Sequence, residues 1–492
     1  MSGTRIDLIH DIVGCAAAAV PDRLAIIGPD GTATTFAEFG RQVRAVAGWT
    51  TGLTRPGDRV AVIADNGSDY ARLYYGVPHA GRTLVLINQR LSAQEQAGQL
   101  AAAEPTVLVG DARYLAALPP VAGVTRVIAF EDLQWQRAQY DSRDLDPVAP
   151  DDPAWLLYTS GSTGTPKPVV HTHRSITTAV RGTVAGRSVR PGGVYLLPFP
   201  MCHVAGYNML VHHAAQSTVM PVPAFRPEWF VAAVNAHGVT SCSLAPTMLH
   251  SLLAYLDESP SELPTLREVA YGSAAIPADL LRRAIARLDV DFHQGYGMTE
   301  TGGNVTFLGP AEHRAGAAGD VSALASAGFP HAEVEVRIDQ GSGEILLRGE
   351  QVAPGLPAAD GWFRTGDVGR LDDEGRLVVV DRLKDVIITG GENVSSREVE
   401  DVLSSHPDVD AVAVVGVPDA YWGEAICAVV VPRAGRTPSA DELIAHVRSH
   451  IAAFKRPRHV LFVDALPMTS NGKVSKAVVR QRAKESLPSA DA

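Results

Sequence analysis

The chain has 492 residues, with 54 acidic against 43 basic side chains and a formal net charge of −11. That length exceeds one compact core and predicts two to four folding units, and the acidic balance argues against non-specific nucleic-acid binding. Four scattered cysteines show neither metal nor disulfide spacing. The longest N-terminal apolar run, Ile12–Val20, is too short to span a membrane and lacks a basic region before it. These features predict a buried helix there, no targeting segment, no membrane span and a reducing cytoplasmic setting.

In chain order, a Pro21-Asp22 break follows the first helix, and Leu24–Ile27 reads as a strand. Thr35 is placed to cap a helix from about Ala37 to Thr50, and Arg55-Pro-Gly-Asp58 makes a turn. Strands are predicted at Arg59–Ala64, Leu84–Ile87 and Thr106–Val109, with helices at Asp69–Ala80 and Ser92–Ala103 between them. Such alternation calls for a parallel, doubly wound sheet. Residues 111–152 are loop-rich and punctuated by proline.

A short apolar strand, Ala154–Leu157, then enters Tyr158-Thr-Ser-Gly-Ser-Thr-Gly-Thr-Pro-Lys167. The hydroxyls of Thr159, Ser160, Ser162 and Thr163, the glycines Gly161 and Gly164, and Lys167 crowd together. Glycines let backbone N–H groups approach an anion, hydroxyls add short donors, and the lysine adds a mobile positive charge. This composition suits a polyphosphate. The loop differs from that of P-loop NTPases, because Pro166 stands where the second glycine belongs and Pro168 follows the lysine. The ordered string resembles the phosphate loop of the adenylate-forming superfamily, which includes acyl- and aryl-CoA synthetases.

Further motifs follow in that family's order. Pro200-Met-Cys-His203-Val-Ala-Gly206 resembles the segment whose histidine gates the acid pocket, and Tyr271-Gly272-Ser273-Ala274 resembles the loop that backs the adenine. In Gly295-Tyr-Gly-Met-Thr-Glu300, Tyr296 offers a flat face to a purine and Gly297 permits close backbone approach. Thr299 can donate to a phosphate, and Glu300 is a hard oxygen ligand for Mg²⁺ arriving with phosphates. From about residue 331 the pattern turns to period two, as in half-buried antiparallel strands. Asp367, in Trp-Phe-Arg-Thr-Gly-Asp, can accept from both hydroxyls of a ribose, with Arg382 beside it. The resemblance implies a hinge at Lys384, a pantetheine tunnel lined by Gly390-Gly391, and a catalytic lysine at Lys473.

The implied fold is α/β. A large N-terminal domain, 1–383, has doubly wound mixed sheets and a β-rich subdomain, and a small mobile α+β domain covers 384–492. The implied reaction joins a carboxylic acid to AMP from ATP, with pyrophosphate leaving, then transfers the acyl group to coenzyme A; a carrier protein or an amine is the alternative acceptor. The acid pocket is assigned to His203, Tyr207, Asn208, Gly272, Gly302 and Gly303. It reads as a mainly apolar, fairly small slot for an aromatic or short-to-medium aliphatic acid. Two features depart from the family: Pro168 removes an N–H after the loop lysine, and Pro354-Gly-Leu-Pro357 replaces the usual Gly-Tyr in a compact 311–361 segment.

Overall fold

The computed structural model describes residues 6–159, 167–272, 276, 278–390, 392–419, 421–469 and 473–487. It is an α/β protein with four sheets among the described residues. A six-stranded sheet runs Arg126–Ala129, Val107–Gly110, Arg59–Ile63, Thr83–Leu86, Pro153–Thr159, Lys167–Thr172, and only its last pair is antiparallel. A nine-stranded sheet has a parallel centre from Leu24–Ile27 to Asp291–Met298, with antiparallel strands at both edges. The two share one core, in which helices Ile9–Ala19, Phe36–Leu53, Ser68–His79 and His173–Gly186 pack against strands of both sheets.

The elements form where side-chain chemistry favours them. Thr35 caps its helix, accepting from the Glu38 N–H at 3.3 Å, and the helix begins at Phe36. The apolar run near the N-terminus is a helix, Ile9–Ala19, that buries Ile9, Ile12, Val13 and Ala16. The loop-rich stretch 111–152 holds more order than its composition suggests: helices Ala112–Ala117 and Leu133–Ala138 flank the edge strand Arg126–Ala129. That strand buries only Ile128, so it lacks the period-two signal of a half-buried strand.

A four-stranded antiparallel sheet, Glu335–Ile338 to Leu377–Arg382, packs its apolar face under Tyr296 and Met298. Beyond it, a five-stranded sheet carries helices Ser396–Ser404 and Ala440–His450 on one core and Lys476–Ser486 on another. Among the described residues no helix is long and apolar enough to cross a membrane.

Three histidines meet where the first helix joins the large domain. The His10 and His79 rings stack at 3.7 Å, and His173 stands edge-on to His10 at 6.0 Å. Burial, with repulsion from His173 at His10 and from His10 at His79, lowers those two to about 3, and burial lowers His173 to about 4. These folded values lie below the unfolded one near 6.5, so the unfolded chain takes up protons first. Stability present above pH 6.5 is therefore lost as pH falls toward the folded values, at about 1.4 kcal/mol per histidine per pH unit. The thermal midpoint is expected to hold between pH 8 and 6.5 and to drop steeply by pH 5. A flat midpoint from pH 7 to 5 would count against this account.

Candidate active site

The strand Asp291–Met298 brings Tyr296 and Gly297 to the centre of the site. A Cβ on Gly297 would lie 2.2 Å from the Gly303 carbonyl oxygen, so glycine is what lets the two strands close. Tyr296 Oη donates to Asp367 Oδ2 at 2.8 Å, and Arg382 Nε meets Oδ1 at 2.8 Å. Asp367 and Arg382 face each other across one hairpin, which fixes that pairing by register. Burial pushes the Asp367 carboxyl up, while Arg382, Tyr296 and Lys473 pull it down.

Lys473 arrives from the C-terminal end of the chain. Thr469 positions it by donating from its N–H to the Lys473 carbonyl at 2.6 Å and accepting the Lys473 N–H on Oγ1 at 3.2 Å. The residue is exposed, yet the surrounding protein partly desolvates its ammonium. That desolvation and Arg382 lower its pKa, and Asp367 acts in the opposite sense. Its field also reaches His203, whose pKa falls to about 4 through burial, Arg90 and Lys473. The structure thus brings Tyr296, Asp367, Arg382 and Lys473 together, with His203 within electrostatic reach of Lys473.

Thr299 and Glu300 form a short 3-10 turn directly after this strand. Two buried residues missed by sequence reading hold it. His171, fully buried, donates from Nε2 to the Thr299 carbonyl at 2.7 Å, and its Nδ1 pairs with the Ser175 hydroxyl at 3.0 Å. Burial keeps its pKa at about 4, so the ring stays neutral. Gln351, also fully buried, donates from Nε2 to the Thr301 and Asn304 carbonyls at 3.0 and 3.1 Å. The Ala353 N–H donates to the Glu300 carbonyl at 2.9 Å, so the compact segment before Pro354 braces this turn. A single carboxylate beside a threonine hydroxyl fits Mg²⁺, which takes one or two protein carboxylates and fills its octahedron with phosphate oxygens and water. Among the described residues no larger metal-ligating cluster exists.

Thr159 pairs with Lys167 across two antiparallel strands, so the ends of the phosphate loop lie side by side. Ser160, Gly161, Ser162, Thr163 and Gly164 fall outside the described residues, as do Ser273, Ala274 and Gly391. Pro168 faces Tyr158 on a strand at the edge of its sheet, where the missing N–H costs least.

A cavity opens between the Tyr207–Asn208 segment and the strands ending at Gly272 and Met298. Tyr207, Asn208, Gly272 and Gly303 line it; His203 and Gly302 do not. Gly302, at φ +62°, lies against His171 instead, and His203 sits within 3.5 Å of Asn88. Met209 is fully buried in the core. Phe199, Val204, Tyr271 and Met298 supply the apolar wall. The expected apolar slot gains polar lining from Arg187 and Ser243, which sequence reading did not assign. A Cβ on Gly303 would lie 2.6 Å from the Tyr207 ring, and that ring is pinned by Thr183 at 3.0 Å and by the Asn304 N–H at 3.2 Å. Gly303→Ala is expected to raise KM for the acid about tenfold or more while KM for ATP stays near its native value. Equal changes in both would show a general distortion.

Lys384 is exposed in a turn closed by the Asp385 and Val386 N–H groups on the Arg382 carbonyl. Beside it, buried Asp381 caps the helix Ser396–Ser404, accepting the Ser396 N–H at 2.6 Å and its hydroxyl at 2.8 Å. Gly390 takes φ +62°, and a Cβ there would meet the Trp422 ring at 2.7 Å.

Residues 15–356 match the AMP-binding enzyme family, and 398–473 match the AMP-binding enzyme C-terminal domain. The chain belongs to this family. It lies in the acyl-CoA synthetase branch of the adenylate-forming enzymes. A feruloyl-CoA synthase from Amycolatopsis sp. is 37% identical over 473 residues, covering 92% of this chain and 94% of that one. A long-chain-fatty-acid–CoA ligase from Mycobacterium tuberculosis is 31% identical over 479 residues, covering 92% and 94%. Among solved structures, an amide bond synthetase from Marinactinospora thermotolerans superposes with a TM-score of 0.87 at 30% identity, covering 96% of this chain and 99% of that one.

Proposed function

We propose that this AMP-binding enzyme activates an aromatic or short-to-medium aliphatic carboxylic acid with ATP and passes the acyl group to coenzyme A. The observation that carries the reading is the convergence of Tyr296, Asp367, Arg382 and Lys473 beside an acid-sized cavity reached from the same strand. A carboxylate oxygen attacks the α-phosphorus of ATP, the bond to the β-phosphate breaks, and pyrophosphate leaves. Asp367 holds the ribose, and Tyr296 lies against the adenine. Lys473 offsets negative charge gathering on the α-phosphate. Glu300 and Thr299 would hold Mg²⁺, which screens the phosphate charges when bound.

In the second half-reaction a thiolate attacks the acyl carbon, the carbon–oxygen bond to phosphate breaks, and AMP leaves. We assign the mobile unit to residues 384–492, turning at Lys384, with Gly390-Gly391 lining the thiol's path. The four cysteines carry free thiols, in keeping with a reducing cytoplasm where ATP and coenzyme A are supplied. The likeness to an amide bond synthetase favours an amine as second acceptor.

The test is mass spectrometry of products from a pool of aryl and aliphatic acids with Mg²⁺-ATP, with and without coenzyme A. A thioester that forms only with coenzyme A supports the reading. Acyl-adenylate that persists with coenzyme A and is consumed by added amines points to the second acceptor. No adenylate from any acid removes the proposal.

A further inference from the structure

The cavity is lined by an arginine that the activation chemistry does not use. Arg187 closes the C-terminus of helix His173–Gly186 and is 2% exposed, yet it lines the cavity. One terminal nitrogen pairs with Glu268, and the other donates to Asn208 Oδ1 at 3.3 Å. Its Nε finds no hydrogen-bond partner among the described residues. An unpaired donor on a buried cation is costly, and a ligand that accepts from it gains what water would otherwise supply. Ser243 lines the same cavity, and its hydroxyl accepts from Tyr195 at 2.9 Å, leaving its own proton free to donate. Arg187 and Ser243 thus line one cavity together with the apolar side chains of Phe199, Val204 and Met298.

We infer that Arg187 and Ser243 select acids bearing a neutral hydrogen-bond acceptor at the end distal to the carboxylate, such as an ether, ketone or phenol oxygen. Glu268 already balances the Arg187 charge, so the site offers directed donors rather than a free cation, and a second carboxylate is disfavoured. A site built to hydrogen-bond one substrate group discriminates sharply against an isostere lacking it, because its own polar groups are then left unpaired. This inference rests on the assignment of the cavity to the acid.

The experiment compares shape-matched acids: 4-methoxycinnamate against 4-ethylcinnamate, and 4-acetylbenzoate against 4-isopropylbenzoate. Binding is read by calorimetry in α,β-methylene-ATP, which blocks departure of pyrophosphate, so no turnover is needed. The oxygen-bearing member of at least one pair is expected to bind about 10- to 100-fold more tightly. In Arg187→Met/Glu268→Gln, which removes both charges together, that ratio is expected to fall below about threefold. The ratio is taken within each protein, and nucleotide binding confirms that the variant is folded. Equal binding within both pairs, or a ratio unchanged in the double variant, overturns the inference. Selective binding without ATP–pyrophosphate exchange for any acid would sink the proposed reaction and leave this selectivity standing.

Discussion

Lys473→Ala is expected to slow acid adenylation by about 10²–10³, the loss typical of one preorganised electrostatic donor. Lys473 lies within electrostatic reach of Arg382 and Asp367, so in the proposed reaction its charge would act where negative charge accumulates on the α-phosphate. The same substitution is expected to leave thiolysis of supplied acyl-adenylate within a few-fold of native, because the C-terminal unit would have turned Lys473 away by then. Pyrophosphate release and thioester formation are measured separately. Equal losses in both half-reactions would remove the two-conformation account.

Arg187→Met is expected to destabilise the large domain by about 3–5 kcal/mol, the usual consequence of stranding one member of a buried ion pair. Burial alone would disfavour the Arg187 charge, but Glu268 and Tyr195 outweigh that and raise its pKa. Without it, Glu268, whose side chain is 12% exposed, keeps a charge with no partner. Adding Glu268→Gln removes that charge and is expected to restore most of the loss. Denaturant unfolding of the native, single and double proteins decides the matter. A single variant as stable as native would show that the pair contributes nothing.

Much of the fold was legible because its signals are local. Strands such as Leu24–Ile27 and the cap at Thr35 follow from side-chain period and a hydroxyl placed before a helix. The strings around Tyr296, Asp367 and Lys473 were legible for a related reason. Each needs glycines, a turn and one charged residue in a fixed order, and their spacing is itself the signal. The strand at Arg126–Ala129 escaped because only one of its four side chains is buried. His171 lies just ahead of the helix His173–Gly186 with no motif around it, and Gln351 carried no signal at all. Each acts through a backbone carbonyl of a distant turn, which no spacing in the chain announces.

The sequence by itself determined the family, the α/β alternation, and the strings that carry the residues proposed to meet the nucleotide. Those properties depend on contiguous stretches whose backbone geometry is set by glycine, proline and hydroxyl side chains within a few residues. Only the tertiary structure decided what the cavity offers a ligand. Arg187 and Glu268 are separated by 81 positions, and Ser243 lies on a third element. Their neighbours in sequence are ordinary, and their chemistry exists because packing buries them together, where an ion pair and an unused donor carry weight they would lack in water.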